Sequence, residues 1–426
     1  MTSIAELENL AIAFSQRGDI PSTIRTCQEI LAVDGNHLSS LRFLADIAID
    51  SGDLSSAANY LKTLLANSPG DLQALSQLGQ ALYRRGELEQ AVDVYTDYWR
   101  IKPGGSTIYL TLGCLYAELG DIDKAAQVFS LGEAVNADLL SLWKNPDTNP
   151  GVSKMSKTAW ETLCQHHTEL HVAAVDADGR QEDLDRIRDA VWPLADMRPV
   201  NYRHPKHRPQ GFSIKYDTAP TFFDSNMFPW REHLELRYPD IRREILAGLD
   251  VATDGKPYLS DRHRLEGQLW EPLVNKMSWA SVHLYQNGVA NEKVIHKFPE
   301  TLEALGGVPV ATTDGNPSEV FISVLAPHTR IPEHFGVSSA ILTAHLPIEV
   351  PPGCGLEVHG ETRAPEPGKL MVFDDTWEHC AWNDSDQPRV VLIFELWHPE
   401  LSEPERLAIS RSFQARRDWV RRRKVD

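Results

Sequence analysis

The sequence predicts two architectures in one chain, an all-helical repeat solenoid followed by a β-rich domain closing as a double-stranded β-helix, or jelly roll. Two observations carry this. Gly18, Gly52, Gly86 and Gly120 recur every 34 residues, and each is followed by an acid: Asp19, Asp53, Glu87, Asp121. Toward the C-terminus the pattern changes to short runs of β-branched and aliphatic residues at 279–284, 319–325, 340–346, 369–373 and 390–394, bounded by Gly, Pro and Asp. Such runs read as strands. At 426 residues the chain is too long for one ordinary core, so several domains are expected.

A fixed 34-residue period of helix-turn-helix units is the tetratricopeptide signature. Leu10, Leu44, Leu78 and Leu112 hold one phase, followed by the small residues Ala11, Ala45, Gly79 and Gly113, where paired helices must approach closely. Thr23, Ala57, Ala91 and Ala125 hold another, and Pro69 and Pro103 stop the second helices of the middle two units. Residues 1–138 are therefore assigned to repeats, the middle two the most regular. Stacked repeats present a concave face suited to an extended chain. A peptide or protein partner docked there is expected, with a bare scaffold or dimerisation surface as the alternative.

Residues 139–220 read as a connector with helices at 156–173 and 181–194 and a Pro- and His-rich loop at 198–211. Within it His167 and His171 stand at i, i+4, as zinc ligands do on a helix, but the glutamate is not placed as in H-E-x-x-H. A solvated helix face is expected there, and no metal role for His204 or His207. Residues 221–407 begin with a buttressing helix, 230–249, before the strands. Trp270, Trp279, Trp377, Trp382 and Trp397 are expected in the core or at its rim. The tail, 408–426, is a basic helix carrying Arg411, Arg416, Arg417, Arg421, Arg422, Arg423 and Lys424, expected to lie solvated against an acidic body.

The chemistry-bearing residues cluster late. His334 and His379 each sit beside a strand-like run, and Arg389 follows ten residues after the second histidine. Neutral imidazoles hold Fe(II) well, and an arginine fork holds a carboxylate bidentately. A 2-His-1-carboxylate set would place Asp or Glu two residues after the first histidine; the residue there is Gly336. Cys380 is next to His379, but strand alternation turns its thiol away. Arg389 leads the apolar run 390–394 and needs a buried anion, whether a ligand or Asp374, Asp375 or Glu395.

From about residue 221 to 407 the chain resembles the aspartyl/asparaginyl β-hydroxylase family of 2-oxoglutarate oxygenases. The landmarks are Phe222-Phe223-Asp224, Phe228-Pro229-Trp230, Lys297-Phe298-Pro299-Glu300-Thr301, Pro327-His328-Thr329 before His334, Phe373-Asp374-Asp375 before His379, and Trp397-His398-Pro399-Glu400-Leu401. The missing carboxylate at position 336 is itself a mark of that family. The resemblance implies His334 and His379 as iron ligands, Arg389 as the partner of the distal carboxylate of 2-oxoglutarate, Ser323 as its hydrogen-bonding companion and His345 at the co-substrate's other end. It implies an Fe(II)-, 2-oxoglutarate- and O2-dependent dioxygenase hydroxylating an unactivated C–H, the β-carbon of an Asp/Asn-type residue in a peptide or protein. Water or substrate would fill the third facial position. One departure stands out: animal members carry an arginine two residues before the last of these histidines, and this chain has Thr343. Hydroxylation of a lipid acyl chain or a free amino acid, a non-catalytic repeat adaptor, and a zinc hydrolase using the His166–His171 cluster are the alternatives.

Hydrophobic and charged contents of 42% and 24% are those of a soluble globular protein. A net charge of −18 argues against a binder that tracks nucleic-acid phosphates. The first residues show no export signal and no apolar run is long enough to span a bilayer. Five cysteines without a C-x-x-C pair suit free thiols in a reducing compartment, so the cytoplasm is the expected address.

Overall fold

In a computed structural model of the chain, which describes residues 3–177, 179, 183–193, 196–260 and 269–425, the four repeat glycines all adopt left-handed φ, from 72° to 83°. Glycine adopts it without steric cost. The acid that follows begins the next helix: the side chains of Asp19, Asp53 and Asp121 accept backbone N–H groups of Ser22, Ser56 and Lys124 as N-caps. The result is four antiparallel pairs: α1 Ile4–Gln16 with α2 Ile20–Val33, α3 Leu38–Ser51 with α4 Leu54–Asn67, α5 Leu72–Arg84 with α6 Leu88–Ile101, and α7 Ser106–Glu118 with α8 Ile122–Val135. Their helices pack closely. A Cβ on Gly113 would lie 2.2 Å from the Phe129 ring.

Leu44, Leu78 and Leu112 are buried as their phase requires, but Leu10 is 45% exposed. Leu44 packs back onto Leu7, Ala11, Cys27 and Ile30 of the preceding pair. Leu10 belongs to the first described pair. The chain divides into two compact units, residues 1–166 with 419–426, and residues 167–418.

The second unit is built on antiparallel sheets. Its strands are β1 Phe222–Phe223, β2 Lys256–Pro257, β3 Trp279–Gln286, β4 Val289–Ala290, β5 Thr312–Thr313, β6 Asn316–Pro317, β7 Glu319–Leu325, β8 Thr329–His334, β9 Ile341–Glu349, β10 Cys354–Val358, β11 Glu361–Arg363, β12 Met371–Phe373, β13 His379–Asn383 and β14 Arg389–Trp397. The large sheet runs β1-β12-β9-β14-β7-β3-β2 with β4 beside β3, and the small one runs β11-β10-β13-β8. Alternation divides the residues of the large sheet. Val282, Ile322, Ala344, Leu346, Leu392 and Phe394 face the helices Arg231–Leu236, Tyr238–Gly248 and Pro299–Leu305. Trp279, Leu325, Met371 and Phe373 face Ile331, Leu356, Val358 and Ala381 of the small sheet. The two sheets therefore share one core.

Several elements differ from the sequence reading. The buttressing helix expected over 230–249 breaks at Arg237, because Pro239 opens a new first turn and has no N–H to continue the old one. The helix expected over 181–194 is Asp185–Arg188 alone; the chain next makes an antiparallel bridge from Val191 to Ser213, and residues 181, 182 and 194 lie outside the described residues. His167 and His171 are buried, not solvated. On the C-terminal helix, Glu403–Arg422, Arg411 donates to the carbonyls of Ala174 and Val175, Arg416 lies 4.3 Å from the Trp192 ring centroid, and Arg417 meets Asp314 at 3.2 Å. All five cysteines are free, and among the described residues no helix is long and apolar enough to cross a membrane.

Candidate functional site

His334 ends β8 and His379 begins β13, and antiparallel pairing makes them register partners with ring centroids 4.0 Å apart. A register shift between His379 and Ala381 re-aims the strand there. Each ring is fixed from behind: Nδ1 of His334 lies 2.8 Å from the Pro332 carbonyl, and Nδ1 of His379 lies 2.9 Å from the Trp377 carbonyl. A carbonyl can only accept, so each Nδ1 carries the proton and each Nε2 keeps its lone pair. Burial lowers both basicities; with neighbouring His334, it pushes His379 down to about 3. Both imidazoles are neutral donors at physiological pH. Among the described residues no group of three His, Cys, Asp or Glu is gathered for a metal ion.

The Asp375 carboxylate packs against Gly336, the position where the usual carboxylate would stand. A Cβ built on Gly336 would sit 2.0 Å from Oδ1 of Asp375. Gly336 N–H also donates to the Asp375 carbonyl at 2.6 Å, locking the two loops together. The Asp375 carboxylate accepts from Thr343 Oγ1 at 3.0 Å, and burial, reinforced by Asp374, raises its pKa to about 7. Sequence reasoning offered Asp375 as a landmark of the resemblance and as an ion-pair partner for Arg389, not as a neighbour of Gly336. The available signal was the Asp pair before His379 combined with a glycine at position 336.

Ser323, His345 and Arg389 share the inner face of the large sheet. Ser323 on β7 pairs with Val391, and its hydroxyl accepts from Trp279 Nε1 at 3.2 Å, leaving its own proton to donate. His345 on β9 is 7% exposed with Nδ1 unpartnered, and burial, then Arg389 and His379, hold it well below the ordinary range. Arg389, 4% exposed, makes no ion pair among the described residues, and its Nε has no hydrogen-bond partner. Burial pushes it down to about 10, so it stays charged at neutral pH. The expected rival partners are engaged or elsewhere: Asp374 with His207 and Thr376, Asp375 with Thr343, and Glu395 six residues along the strand.

His207, expected to be an ordinary loop residue, stacks on Trp377 at 4.5 Å and meets Asp374 at 3.0 Å, bracing the strand that carries His379. Cys380 points to the opposite face from His379, with Arg330 3.3 Å from its sulfur. The competing His167/His171 pair does not form an open donor set. Nδ1 of His171 is 2.6 Å from Ser412 Oγ and Nε2 is 2.7 Å from the Ile187 carbonyl, so both ring nitrogens are used.

Residues 235–399 match the aspartyl/asparaginyl beta-hydroxylase family, and residues 44–106 and 106–136 match tetratricopeptide repeats. The chain is 33% identical over 140 residues to the human aspartyl/asparaginyl beta-hydroxylase, covering 33% of this chain and 18% of that protein. It is 34% identical over 134 residues to human aspartate beta-hydroxylase domain-containing protein 2, covering 31% and 36%. It thus spans well under half the length of either human relative. The ornithine lipid ester-linked acyl 2-hydroxylase of Rhizobium tropici is 30% identical over 212 residues, 46% of this chain and 68% of that protein. With the family match over residues 235–399 falling on the two-sheet unit that carries His334, His379 and Arg389, the chain belongs to the aspartyl/asparaginyl beta-hydroxylase family.

Proposed function

We propose that the protein is an Fe(II)- and 2-oxoglutarate-dependent dioxygenase, built on a double-stranded β-helix, that hydroxylates an unactivated C–H bond in a peptide or protein. The observation that carries this reading is the pairing of two back-bonded, neutral imidazoles with a buried guanidinium that has no anionic partner among the described residues. Such a guanidinium is costly unless a ligand neutralises it. His334 and His379 would hold the iron through Nε2, a donor set that suits Fe(II). Arg389 would hold the distal carboxylate of the keto acid bidentately, with Ser323 donating to it and Trp279 orienting that hydroxyl. His345 keeps an unpartnered Nδ1 for the other end. Asp375, beside Gly336, would hydrogen-bond a water or substrate atom at the third facial position. Iron and keto acid, when bound, would supply the oxidation, one oxygen atom of O2 going to the substrate and one to succinate with release of CO2. The packed sheets keep bulk water out.

The Asp form of the substrate reading needs a cation to seat the substrate carboxylate, and Thr343 offers none. Repeats that dock a peptide or protein favour a polypeptide substrate. Acyl-chain hydroxylation is the second reading, favoured by the long match to the Rhizobium relative. Incubation with Fe(II), 2-oxoglutarate and O2 should release succinate. A His379→Ala variant should co-purify with substrate whose wild-type product is heavier by one oxygen atom. A non-catalytic adaptor would neither release succinate nor bind 2-oxoglutarate.

A further inference from the structure

Residues 204–212, in the Pro- and His-rich loop, run as a strap across the two loops that carry the histidines. Those loops, 335–340 after His334 and 374–378 before His379, lie outside the strands, so their backbone groups need other partners. The strap supplies several of them. Arg208 N–H donates to the Thr376 carbonyl and Glu378 N–H donates to the Lys206 carbonyl, each at 2.8 Å, making an antiparallel bridge centred on His207 and Trp377. Farther along, Gln210 N–H donates to the Gly336 carbonyl at 3.1 Å, Phe212 N–H to the Val337 carbonyl at 2.9 Å, and Ser339 N–H to the Phe212 carbonyl at 3.1 Å. Pro205 and Pro209 restrict the strap's conformations, and Phe212, 1% exposed, anchors its end in a hydrophobic core.

The bridge controls where one carbonyl points. Because its hydrogen bonds use the carbonyl of residue 376 and the N–H of residue 378, the Trp377 carbonyl is left to accept from His379 Nδ1 at 2.9 Å. Side chains of such a non-hydrogen-bonded pair lie close together. His207 accordingly stacks on the Trp377 indole, with centroids 4.5 Å apart and planes 27° apart. Its outer edge is fixed as well: Nε2 lies 3.0 Å from the Asp374 carboxylate and 2.9 Å from Thr376 Oγ1. Asp374 and Thr376 are both buried and are joined through the Thr376 N–H at 2.9 Å. His359 stacks on the same indole at 4.4 Å, and Trp377 Nε1 donates to the Ala219 carbonyl at 3.2 Å. Residue 377 is thus held by its ring as well as by its peptide.

We propose that His207 is a positioning residue for the metal, acting through Trp377 on the imidazole of His379 while the strap that carries it ties down the loop after His334. The inference rests on the oxygenase reading above, in which those two imidazoles hold iron. It places a determinant of metal affinity ahead of the segment 235–399 that matches the family. Groups that orient a ligating histidine are commonly worth about 10- to 100-fold in metal affinity.

The test is calorimetric titration of the metal-free, full-length protein with Co(II) as a stand-in for Fe(II), together with the visible d–d absorption of the loaded protein and the urea midpoint of the metal-free one. His207→Ala and His207→Leu, each checked for native circular dichroism, should raise the Kd for Co(II) at least about tenfold and alter the d–d bands. His207→Phe, which keeps a ring on Trp377, should recover most of that loss. A merely structural His207 would lower the urea midpoint and leave Kd and spectrum where they were. That result in whichever of the Ala and Leu variants folds, or a Phe variant as weak as the alanine one, would overturn the proposal. Wild-type protein that fails to bind Co(II), or a His379→Ala variant that binds it as the wild type does, would instead sink the iron-site reading and this inference with it.

Discussion

Arg389 allows a prediction with two effects of opposite sign. Its guanidinium begins β14, is 4% exposed, and has no anion among the described residues. In Arg389→Lys the charge remains but the planar fork is lost. A charge-assisted hydrogen bond contributes ~1.5 to 3 kcal/mol and each ~1.4 kcal/mol is tenfold, so losing one of two raises the KM for 2-oxoglutarate at least about tenfold. Arg389→Met should abolish saturable dependence on 2-oxoglutarate, yet stabilise the ligand-free protein by ~1 to 4 kcal/mol, because it replaces an uncompensated buried charge with packing. Succinate formation against 2-oxoglutarate concentration reads the first effect, and urea denaturation with and without 2-oxoglutarate reads the second. Ligand at a hundred times its Kd should stabilise the wild type by about 2.7 kcal/mol and leave the Met variant unmoved. An unchanged KM in the Lys variant, or a ligand-free Met variant that unfolds more easily, would make Arg389 a structural residue and refute the reasoning.

The other expectations follow from the same geometry. His334→Ala and His379→Ala should each abolish Fe(II)-dependent succinate release, since each removes one of two Nε2 donors; near-normal turnover by either takes that residue out of the site. His171→Asn should leave this turnover intact while lowering the urea midpoint, because its ring is spent on Ser412 and Ile187. Gly336→Ala should cost ~1 to 3 kcal/mol of stability by overpacking against Asp375, with Asp375→Gly restoring most of it; a neutral single variant contradicts the close approach. Glu395, ordinarily near 4.5, is held near 8 in the fold, so between those values the folded state binds a proton that the unfolded chain does not. Stability should therefore fall as pH rises from about 4.5 to about 8, and Glu395→Gln should flatten that slope in urea midpoints; parallel curves would count against it.

What could be read from the chain alone was whatever neighbours in sequence decide. A left-handed turn and the N-cap after it involve adjacent residues, so the Gly-acid pairs at 18, 52, 86 and 120 disclosed the repeats. Alternation is likewise local, which is why the strands holding Ser323, His345 and Arg389 were legible, along with the outward turn of Cys380. Where local rules conflicted, context won: Pro239 split one helix, and among the described residues of 183–193 the helix stops at Arg188, with Val191 bridging Ser213.

Tertiary structure alone decided how separated pieces meet. Sequence placed His334 and His379 beside strands, but the antiparallel register of β8 against β13 brought their rings to 4.0 Å. The Asp375 carboxylate was brought against Gly336, 39 residues before it, through a loop contact that no spacing rule encodes. Whether Arg389 had an ion-pair partner, and whether His171 was free to bind a metal, depended on what packing placed around each side chain. Local periodicity chooses the element and the face a residue occupies; its charge environment is set by long-range pairing, which leaves no signature in any one segment.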